Sequence, residues 1–388
     1  MKITDLKTLV VNAVMRNWVF VKIETDQPGL YGWGEATMEW KTRAVVSCVE
    51  DFKAMIMGQD PTRIEFLWQI MYRQSFFRPG AIAATAMSGI EQACWDILGK
   101  TLGVPVYKLL GGKVRDKVRM YTHLGGGEMK AVFETSEVQP LLERARSVIE
   151  KGYRAVKVVV VPLSHPLTGL PAVKHFAKLI GALRTEVGDE VDLMIDFHGR
   201  TMTGQAIEYI NAIEQFHPLF CEEPVPPEQV EALLEVRRAV RVPIASGERL
   251  ATRWQFRRLC ELQACHVLQP DIGHCGGLLE ARKIAVLGET YLMGVAPHNS
   301  NGPIANVVAL HFDLVTPNFL IQEDMIGDVP WRFDVVQTSL RSADGYWLPI
   351  EEPGLGVEIN ESEARKHPFQ QEVFEQSVFH EDGSVAEW

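Results

Sequence analysis

Ionisable residues recur at a regular spacing through the middle of this 388-residue chain. Short apolar runs in succession each end in an acid or an imidazole, and these residues are Asp196, Glu222, Glu248, Asp271, His298 and Glu323. Their separation is roughly 25 residues, the length of one β/α unit. A single strand-end acid could simply cap the next helix. If the runs are neighbouring parallel strands, however, all six side chains converge at one mouth and predict a shared site.

Three of these carboxylates predict a metal site. Asp196, Glu222 and Glu248 would repel one another and raise their own pKa values unless a cation lay between them. An all-oxygen ligand set favours Mg²⁺ over zinc, and we expect one ion per subunit. Glu223 follows Glu222 directly, so strand alternation should turn it away from the metal.

The remaining residues predict proton chemistry beside that metal. A substrate carboxylate could fill the open metal positions, and the metal would stabilise the enediolate formed when the adjacent C–H is deprotonated. His298 is the candidate base, and Asp271 on the neighbouring strand would fix its tautomer and raise its basicity. Lys157, in the second apolar run, could contact the substrate carboxylate.

The segment "IDFHGR" adds a candidate acid. Asp196 and His198 lie two residues apart, so on a strand they would point the same way, which puts His198 near a leaving hydroxyl. Glu323 could hydrogen-bond the second enediolate oxygen if it is protonated. The structural alternative for His198 and His298 is a core or loop-anchoring histidine.

The predicted fold follows from the alternating sequence pattern after about residue 120. Apolar runs alternate there with amphipathic helical stretches. The runs are "VRMYTHL", "AVKVVVV", "DLMID", "LFCEE", "PIASGE", "HVLQPD", "LMGVAPH" and "FLIQED". Eight such strands predict a parallel β/α barrel, with a doubly wound open sheet as the alternative.

The regions on either side of the barrel have a different pattern. The stretch "NWVFVKIETDQPGLYGWGEA" predicts a hairpin with a bend at Gly32–Gly34, and helical patterns follow it. We therefore expect an α+β domain over residues 1–120 and the barrel over 121–335. Residues 336–388 should form a C-terminal segment that returns to the first domain.

Bulk properties exclude several classes of protein. The net charge is −11 and no run of five basic residues occurs, which argues against nucleic-acid binding. No apolar run approaches the roughly 18 residues that span a bilayer, and the N-terminus lacks a signal-peptide pattern. The six cysteines form no CxxC pair, so we expect reduced thiols and a cytoplasmic protein.

Several longer motifs resemble one family. The segments "IDFHGR", "EEPV", "GERLATRWQF", "LQPDIGHCGG" and "APHNSNGPIA" resemble the mandelate racemase subgroup of the enolase superfamily, and within it the galactonate dehydratases. The resemblance implies a modified TIM barrel of seven and a half β/α units with an α+β capping domain. It also implies Mg²⁺ on Asp196, Glu222 and Glu248, His298 assisted by Asp271 as base, His198 as acid, and Glu323 as transition-state stabiliser.

The expected activity is a Mg²⁺-dependent hydro-lyase reaction on an acid sugar. An aldonate of the D-galactonate type would lose its C2 proton and 3-hydroxyl to give a 2-keto-3-deoxy aldonate. Mandelate-type racemases carry Lys-x-Lys on the second barrel strand, whereas this chain has Lys157-Val158-Val159. An epimerase or racemase of a carboxylate substrate stays an alternative, as does a non-catalytic, metal-binding regulatory barrel.

Contacts to the far end of the substrate are expected from loops. The candidates are Arg16, Asn17, His123 and Arg249. The expected partner is a small acid sugar rather than nucleic acid or membrane, and relatives in this subgroup suggest a homo-oligomer.

Overall fold

The N-terminal region forms an antiparallel sheet. The computed structural model describes residues 1–125, 137–161, 169–325, 327–372, 379–380 and 382–387. Its first three strands are β1 (Ile3–Ala13), β2 (Arg16–Thr25) and β3 (Tyr31–Glu35), paired in the order β1-β2-β3. Because β2 and β3 pair antiparallel across a short turn, the predicted hairpin is confirmed.

Four helices follow this sheet. They are α1 (Thr42–Ile56), α2 (Ile64–Gln74), α3 (Ala81–Leu102) and α4 (Val106–Leu109). Helix α3 ends at Leu102, and Gly103, with a φ of 69°, forms its left-handed C-terminal cap. Most residues of α3 are buried because it lies between the N-terminal sheet and the barrel.

The glycines of "GWG" have a different role from the one predicted. Strand β3 runs through Gly32 and Gly34 without a break, so the predicted bend is wrong. Both glycines instead let β3 approach α3 closely. A Cβ on Gly34 would lie 2.0 Å from the Gly89 carbonyl oxygen, and one on Gly32 would lie 2.1 Å from the Ala93 carbonyl oxygen.

The second region is a closed parallel barrel. Its strands are β4 (Val118–His123), β5 (Ala155–Val158), β6 (Asp192–Asp196), β7 (Phe220–Glu222), β8 (Ile244–Ser246), β9 (Val267–Leu268), β10 (Gly294–Val295) and β11 (Gln322–Asp324). They pair in chain order from β4 to β10, and β11 pairs with β4. A parallel bridge from Val295 to Phe319 completes the ring. The barrel prediction is confirmed, and closure rules out the open doubly wound sheet.

Seven full helices alternate with these strands in the described part of the chain. They are α5 (Val138–Glu150), α6 (Leu170–Val187), α7 (Thr203–Ile213), α8 (Val230–Ala239), α9 (Thr252–Leu262), α10 (Leu278–Thr290) and α11 (Pro303–Val315). Strand β11 is followed only by the four-residue helix α12 (Arg332–Val335). The arrangement is the predicted seven and a half β/α units.

The C-terminal segment contacts both regions. Its elements are β12 (Val336–Thr338), β13 (Arg341–Ala343), β14 (Tyr346–Leu348), β15 (Val357–Ile359) and α13 (Glu361–Ala364). Strand β14 pairs antiparallel with β4 and so extends the barrel sheet, a contact the sequence analysis did not foresee. Beyond it the chain reaches the N-terminal sheet, where Tyr31 donates to Glu358 at 2.9 Å and Lys22 to Glu361 at 2.7 Å.

Two expectations from composition also meet the structure. All six cysteines are free thiols, as the absence of paired motifs predicted. Within the described residues, every helix is too short or too polar to cross a bilayer.

The close approach of β3 to α3 generates a stability prediction. We expect Gly34→Ala to lower the free energy of unfolding by about 3 kcal/mol or to prevent soluble expression, because the new methyl group meets backbone that cannot move aside. Gly204→Ala is the matched control. A Cβ at Gly204, in the first turn of α7, would meet no atom within 4 Å. Urea unfolding of the two variants measures the difference, and equal midpoints would contradict the packing argument.

Candidate active site

Three carboxylates meet where barrel strands end. Asp196 is the last residue of β6, Glu222 is the last of β7, and Glu248 lies two residues beyond β8. One ligand oxygen from each lies within 4.8 Å of the others. Asp196 and Glu222 are buried and Glu248 is partly exposed. Strand adjacency therefore brings together the three residues that the spacing singled out.

The Lys157 ammonium lies among these carboxylates. Its Nζ is 2.9 Å from Glu222 Oε1, 2.9 Å from Glu323 Oε1 and 3.6 Å from Asp196 Oδ2. Burial alone would lower the pKa of Lys157, but the carboxylates around it, Glu222 and Glu323 first, hold that pKa well above its usual value. Lys157 is consequently a charged partner of the acidic cluster.

The single positive charge of Lys157 does not neutralise the three carboxylates. The oxygen atoms of these carboxylates are suitable ligands for a divalent cation. Burial raises the pKa of Glu222, and the neighbouring carboxylates of Asp196 and Glu248 raise it further, whereas the Lys157 ammonium lowers it. Three carboxylate oxygens at one point are the hard ligands that Mg²⁺, Mn²⁺ or Ca²⁺ prefers. Glu223 takes no part, because its side chain accepts a hydrogen bond from Arg249 Nε at 2.6 Å.

His298 and Asp271 form a hydrogen-bonded pair beside the triad. His298 Nδ1 lies 2.8 Å from Asp271 Oδ2, while its Nε2 lies 3.4 Å from Glu248 Oε2. Asp271 is itself fixed by the Asn301 amide, at 2.9 Å, and by the Gly273 N–H, at 2.7 Å. Burial opposes protonation of His298, but Glu248, Glu323 and Asp271 together raise its pKa well above the usual value.

His198 reaches the site by a route different from the predicted one. Strand β6 ends at Asp196, and His198 lies in a turn with a φ of 50°, so the argument from strand alternation is wrong. The His198 N–H donates to Asp196 Oδ1 at 2.9 Å, and this local hydrogen bond builds the turn. The imidazole Nε2 nevertheless lies 3.2 Å from Asp196 Oδ2.

The role expected of Glu323 depends on its protonation, which its charged neighbours oppose. Its role as a hydrogen-bond donor requires a protonated carboxyl. Burial favours that form, but the Lys157 ammonium and His298 outweigh it and lower the pKa of Glu323 to about 2. Its Oε2 also accepts the Asn299 N–H at 2.9 Å. In this state Glu323 is a carboxylate that only accepts hydrogen bonds.

A cavity of about 450 Å³ opens above these groups. Its barrel side is lined by Lys157, Asp196, His198, Glu248, His298 and Glu323. The N-terminal domain contributes Met15, Arg16, Met38, Glu39, Trp40 and Ala81. The cavity is therefore charged at the strand ends and mostly apolar on the side of the N-terminal domain.

Three of the four expected substrate contacts line this cavity. They are Arg16, His123 and Arg249. His123 Nδ1 accepts the Gly125 N–H at 2.8 Å, and burial lowers its pKa to about 4, so its neutral ring carries the proton on Nε2.

Asn17 is placed differently from the other three expected substrate contacts. It is absent from the described lining of the cavity. Its Nδ2 donates to the Gln370 carbonyl at 2.9 Å, and its Oδ1 accepts the Gln370 N–H at 3.0 Å. These two bonds bind the C-terminal segment to β2, so the side chain holds the fold together.

The structure adds residues that the sequence analysis left without a role. His274 lines the cavity, with Nδ1 2.9 Å from Thr85 Oγ1 and Nε2 3.6 Å from Asp271 Oδ2. Its position three residues after Asp271, inside "LQPDIGHCGG", was the available signal. Asn301 likewise lies within the quoted "APHNSNGPIA". Glu39 had no comparable signal in the sequence. Its place in the cavity becomes apparent only from its ion pair with Arg16.

Comparison with known families covers most of the chain. Residues 5–111 match the N-terminal domain of the mandelate racemase and muconate lactonizing enzymes, and residues 140–363 match the enolase C-terminal domain-like family. A curated D-galactonate dehydratase of Verminephrobacter eiseniae is 38% identical over 395 residues, with both chains fully covered. One from Variovorax paradoxus is 38% identical over 400 residues, again with full coverage of both.

Solved structures share the whole architecture. An enolase from Agrobacterium radiobacter, provisionally named a galactarate dehydratase and bound to sodium and L-malate, has a TM-score of 0.91. It is 31% identical, and the match covers 100% of both chains. A mandelate racemase/muconate lactonizing enzyme-like protein from Roseovarius has a TM-score of 0.89 at 36% identity, covering 96% of this chain and 97% of its own.

The crowded carboxylates generate a prediction about metal binding. Mg²⁺ or Mn²⁺ should raise the melting temperature, because a cation bound only by the folded site relieves carboxylate repulsion there. Glu222→Gln should abolish most of that rise. Glu223→Gln is the adjacent control and should keep it, since Glu223 is bonded to Arg249. Thermal unfolding with and without each metal measures the effect. A similar loss in both variants would place the metal elsewhere.

Proposed function

We propose, since the chain belongs to the enolase superfamily through its mandelate racemase and muconate lactonizing enzyme domains, that it dehydrates an acid sugar. One observation carries the proposal. A carboxylate triad, of which Asp196 and Glu248 line one cavity, lies beside the His298–Asp271 pair and a second imidazole, His198. Elimination of water next to a carboxylate needs a site for that carboxylate, a base and an acid, and this cavity offers all three.

The substrate we propose is an aldonate, with D-galactonate the first to test. The names of relatives that align over the full length support this choice. The cavity of about 450 Å³ has room for an extended six-carbon acid. The product would be a 2-keto-3-deoxy aldonate. We propose the cytoplasm as the site of the reaction, as the free thiols suggest.

The metal we propose is Mg²⁺, held by Asp196, Glu222 and Glu248. When bound, it would supply Lewis-acid stabilisation of the negative charge that develops on the substrate carboxylate. Lys157, with its ammonium 2.9 Å from Glu222, is placed to bind the same end of the substrate. Glu323 keeps that ammonium in position from the opposite side, at 2.9 Å.

His298 is the proposed base for the C2 proton. Its Nδ1 is bonded to Asp271 at 2.8 Å, so Nε2 is the nitrogen that accepts the proton when the ring is neutral. A cation held by Glu248 would offset part of the carboxylate charge that raises the His298 pKa, and so would favour the neutral ring. Asp271 then stabilises the imidazolium. Because Asn301 and Gly273 already fix both Asp271 oxygens, the carboxylate cannot turn away from the ring during the reaction.

His198 is the proposed acid for the C3 hydroxyl. Its imidazole lies 3.2 Å from Asp196, beside the carboxylate end of the substrate. A proton delivered to the C3 oxygen lets the C3–O bond break and water leave. The C2 proton remains on His298, and the resulting enol becomes the 2-keto product by losing the proton of its C2 hydroxyl and taking up a proton at C3.

The alternatives have less support. A racemase needs a second base on the opposite face of C2, but the residue two positions after Lys157 is the buried Val159. A regulatory barrel without catalysis would have no need for the His298–Asp271 pair or for His198. Retention of all three groups favours an enzyme.

The two imidazoles generate separable kinetic predictions. His298→Asn should stop both dehydration and exchange of the C2 proton. His198→Asn should slow dehydration by about 10²–10⁴-fold and keep the exchange, because the base is untouched. Proton NMR of the aldonate in D₂O with Mg²⁺ follows both reactions in one sample.

A matched control isolates the chemistry from the backbone. His217 is an exposed histidine with a φ of 49°, nearly the same left-handed conformation as His198, and asparagine tolerates that conformation. His217→Asn should therefore retain full activity. Normal dehydration in His198→Asn would assign the acid to another group, and normal exchange in His298→Asn would do the same for the base.

A further inference from the structure

We infer that Arg16 and Glu39 form a subsite that recognises a hydroxyl at the far end of the substrate and rejects a second carboxylate there. The inference rests on the proposed function and deepens it, because it separates aldonates from the aldarates that carry a carboxylate at both ends. Both residues line the cavity from the N-terminal domain, whereas the metal triad and the proton-transfer groups come from the barrel.

The two side chains form an ion pair inside the cavity. Arg16 begins β2 and Glu39 follows β3, and Arg16 Nη2 lies 3.0 Å from Glu39 Oε1. The Arg16 side chain is 3% exposed and that of Glu39 is 20% exposed. The pair is therefore largely shielded from water while it remains in contact with the cavity.

Arg16 has a donor to spare. Its Nη1 is buried and has no hydrogen-bond partner among the described residues. A buried guanidinium N–H without an acceptor is costly, so such atoms in native sites commonly face a ligand or an ordered water. An oxygen atom of the substrate would satisfy it. Glu39, which forms no other hydrogen bond or ion pair within the described chain, offers a carboxylate oxygen as acceptor.

A hydroxyl matches this pair better than a carboxylate does. A hydroxyl can accept from Arg16 and donate to Glu39 at once, whereas a carboxylate can only accept. The side chains next to the pair in sequence, Met15, Met38 and Trp40, line the cavity and are largely apolar. In such surroundings the repulsion between Glu39 and a substrate carboxylate would be poorly screened.

The basic side chains that line the cavity also disfavour a second substrate carboxylate. Three lysine or arginine side chains line it in the described structure, namely Arg16, Lys157 and Arg249. Each already has a carboxylate partner, respectively Glu39, Glu222 and Glu223. Lys157 lies at the end of the cavity where the metal would bind. Among the described residues, a second carboxylate on the substrate would therefore find no cavity-lining lysine or arginine free of a competing acid.

The test compares two acids that differ only at C6. D-Galactonate ends in a hydroxymethyl group and galactarate in a carboxylate, with the same configuration from C2 to C5. With Mg²⁺ present, the wild-type enzyme should show a kcat/KM at least about tenfold higher for galactonate. Glu39→Gln should raise the galactarate-to-galactonate ratio at least about tenfold, because Arg16 is then free to bind the second carboxylate. Arg16→Gln should lower kcat/KM for both acids and leave galactarate disfavoured.

Two controls distinguish recognition from a general disturbance. D-Lactate, a three-carbon acid that reaches only the metal end, should inhibit wild type and Glu39→Gln with the same Ki. Glu50→Gln, which removes an exposed carboxylate of α1, should change neither the ratio nor the inhibition. A merely structural role for Glu39 would alter the lactate Ki along with the ratio.

The outcomes separate this inference from the proposed function. Equal or reversed preference in the wild type, or an unchanged ratio in Glu39→Gln, would overturn the subsite. Failure to dehydrate any acid sugar would instead overturn the proposed function. In that case the affinities of the same two acids can be measured by calorimetry with Mg²⁺. The subsite predicts that Glu39→Gln raises the affinity for galactarate relative to galactonate, and an unchanged ratio of affinities would overturn it.

Discussion

Closure of the parallel barrel places an excess of negative charge in a buried position, and the rest of the site depends on how this charge is compensated. Adjacent strands β6, β7 and β8 carry Asp196, Glu222 and Glu248 at their ends, so closing the barrel necessarily brings these carboxylates together. Burying like charges is unfavourable unless cations compensate. Lys157 supplies one positive charge and a divalent cation would supply the remainder. The raised pKa values of Lys157 and His298 follow from the same excess, because each lies against several of the acids.

Strand ends alone would not fix the loops of Asp271 and His298, and the N-terminal domain supplies additional support. Glu35 accepts N–H groups from Gly302, Ile304 and Ala305 at the start of α11, and Glu91 accepts those of Leu278 and Leu279 at the start of α10. Carboxylates are stabilising at helix N-termini, where backbone N–H groups lack partners. These two helices follow the strands that lead to Asp271 and His298. The N-terminal domain, which lines one side of the cavity, thus also supports the loops that carry Asp271 and His298.

The sequence predicted what depends on chain periodicity and missed what depends on distant packing. The barrel and the residues that meet at its mouth follow from apolar runs of regular spacing, which are local properties of the chain. Asn17 could not be placed in this way, because its partner Gln370 lies 353 residues away. The same limit applies to Gly34, whose purpose appears only once α3 packs on β3. The Arg16–Glu39 pair is separated in sequence by a complete hairpin, and no local pattern marks it.

The turn at Asp196 joins the proposed metal site to the proposed acid. Asp196 uses Oδ1 to accept the His198 N–H, and this hydrogen bond sets the left-handed conformation that brings the imidazole back toward Oδ2. In the proposed site, one carboxylate would therefore serve both as a metal ligand and as the anchor of the histidine. A rotation of Asp196 that served one role would disturb the other, so the two functions cannot vary independently. This coupling explains why an acid and an imidazole occur two residues apart at a strand end, although strand alternation does not align them. In the proposed reaction, the proton donor is then placed by the same residue that helps to place the substrate.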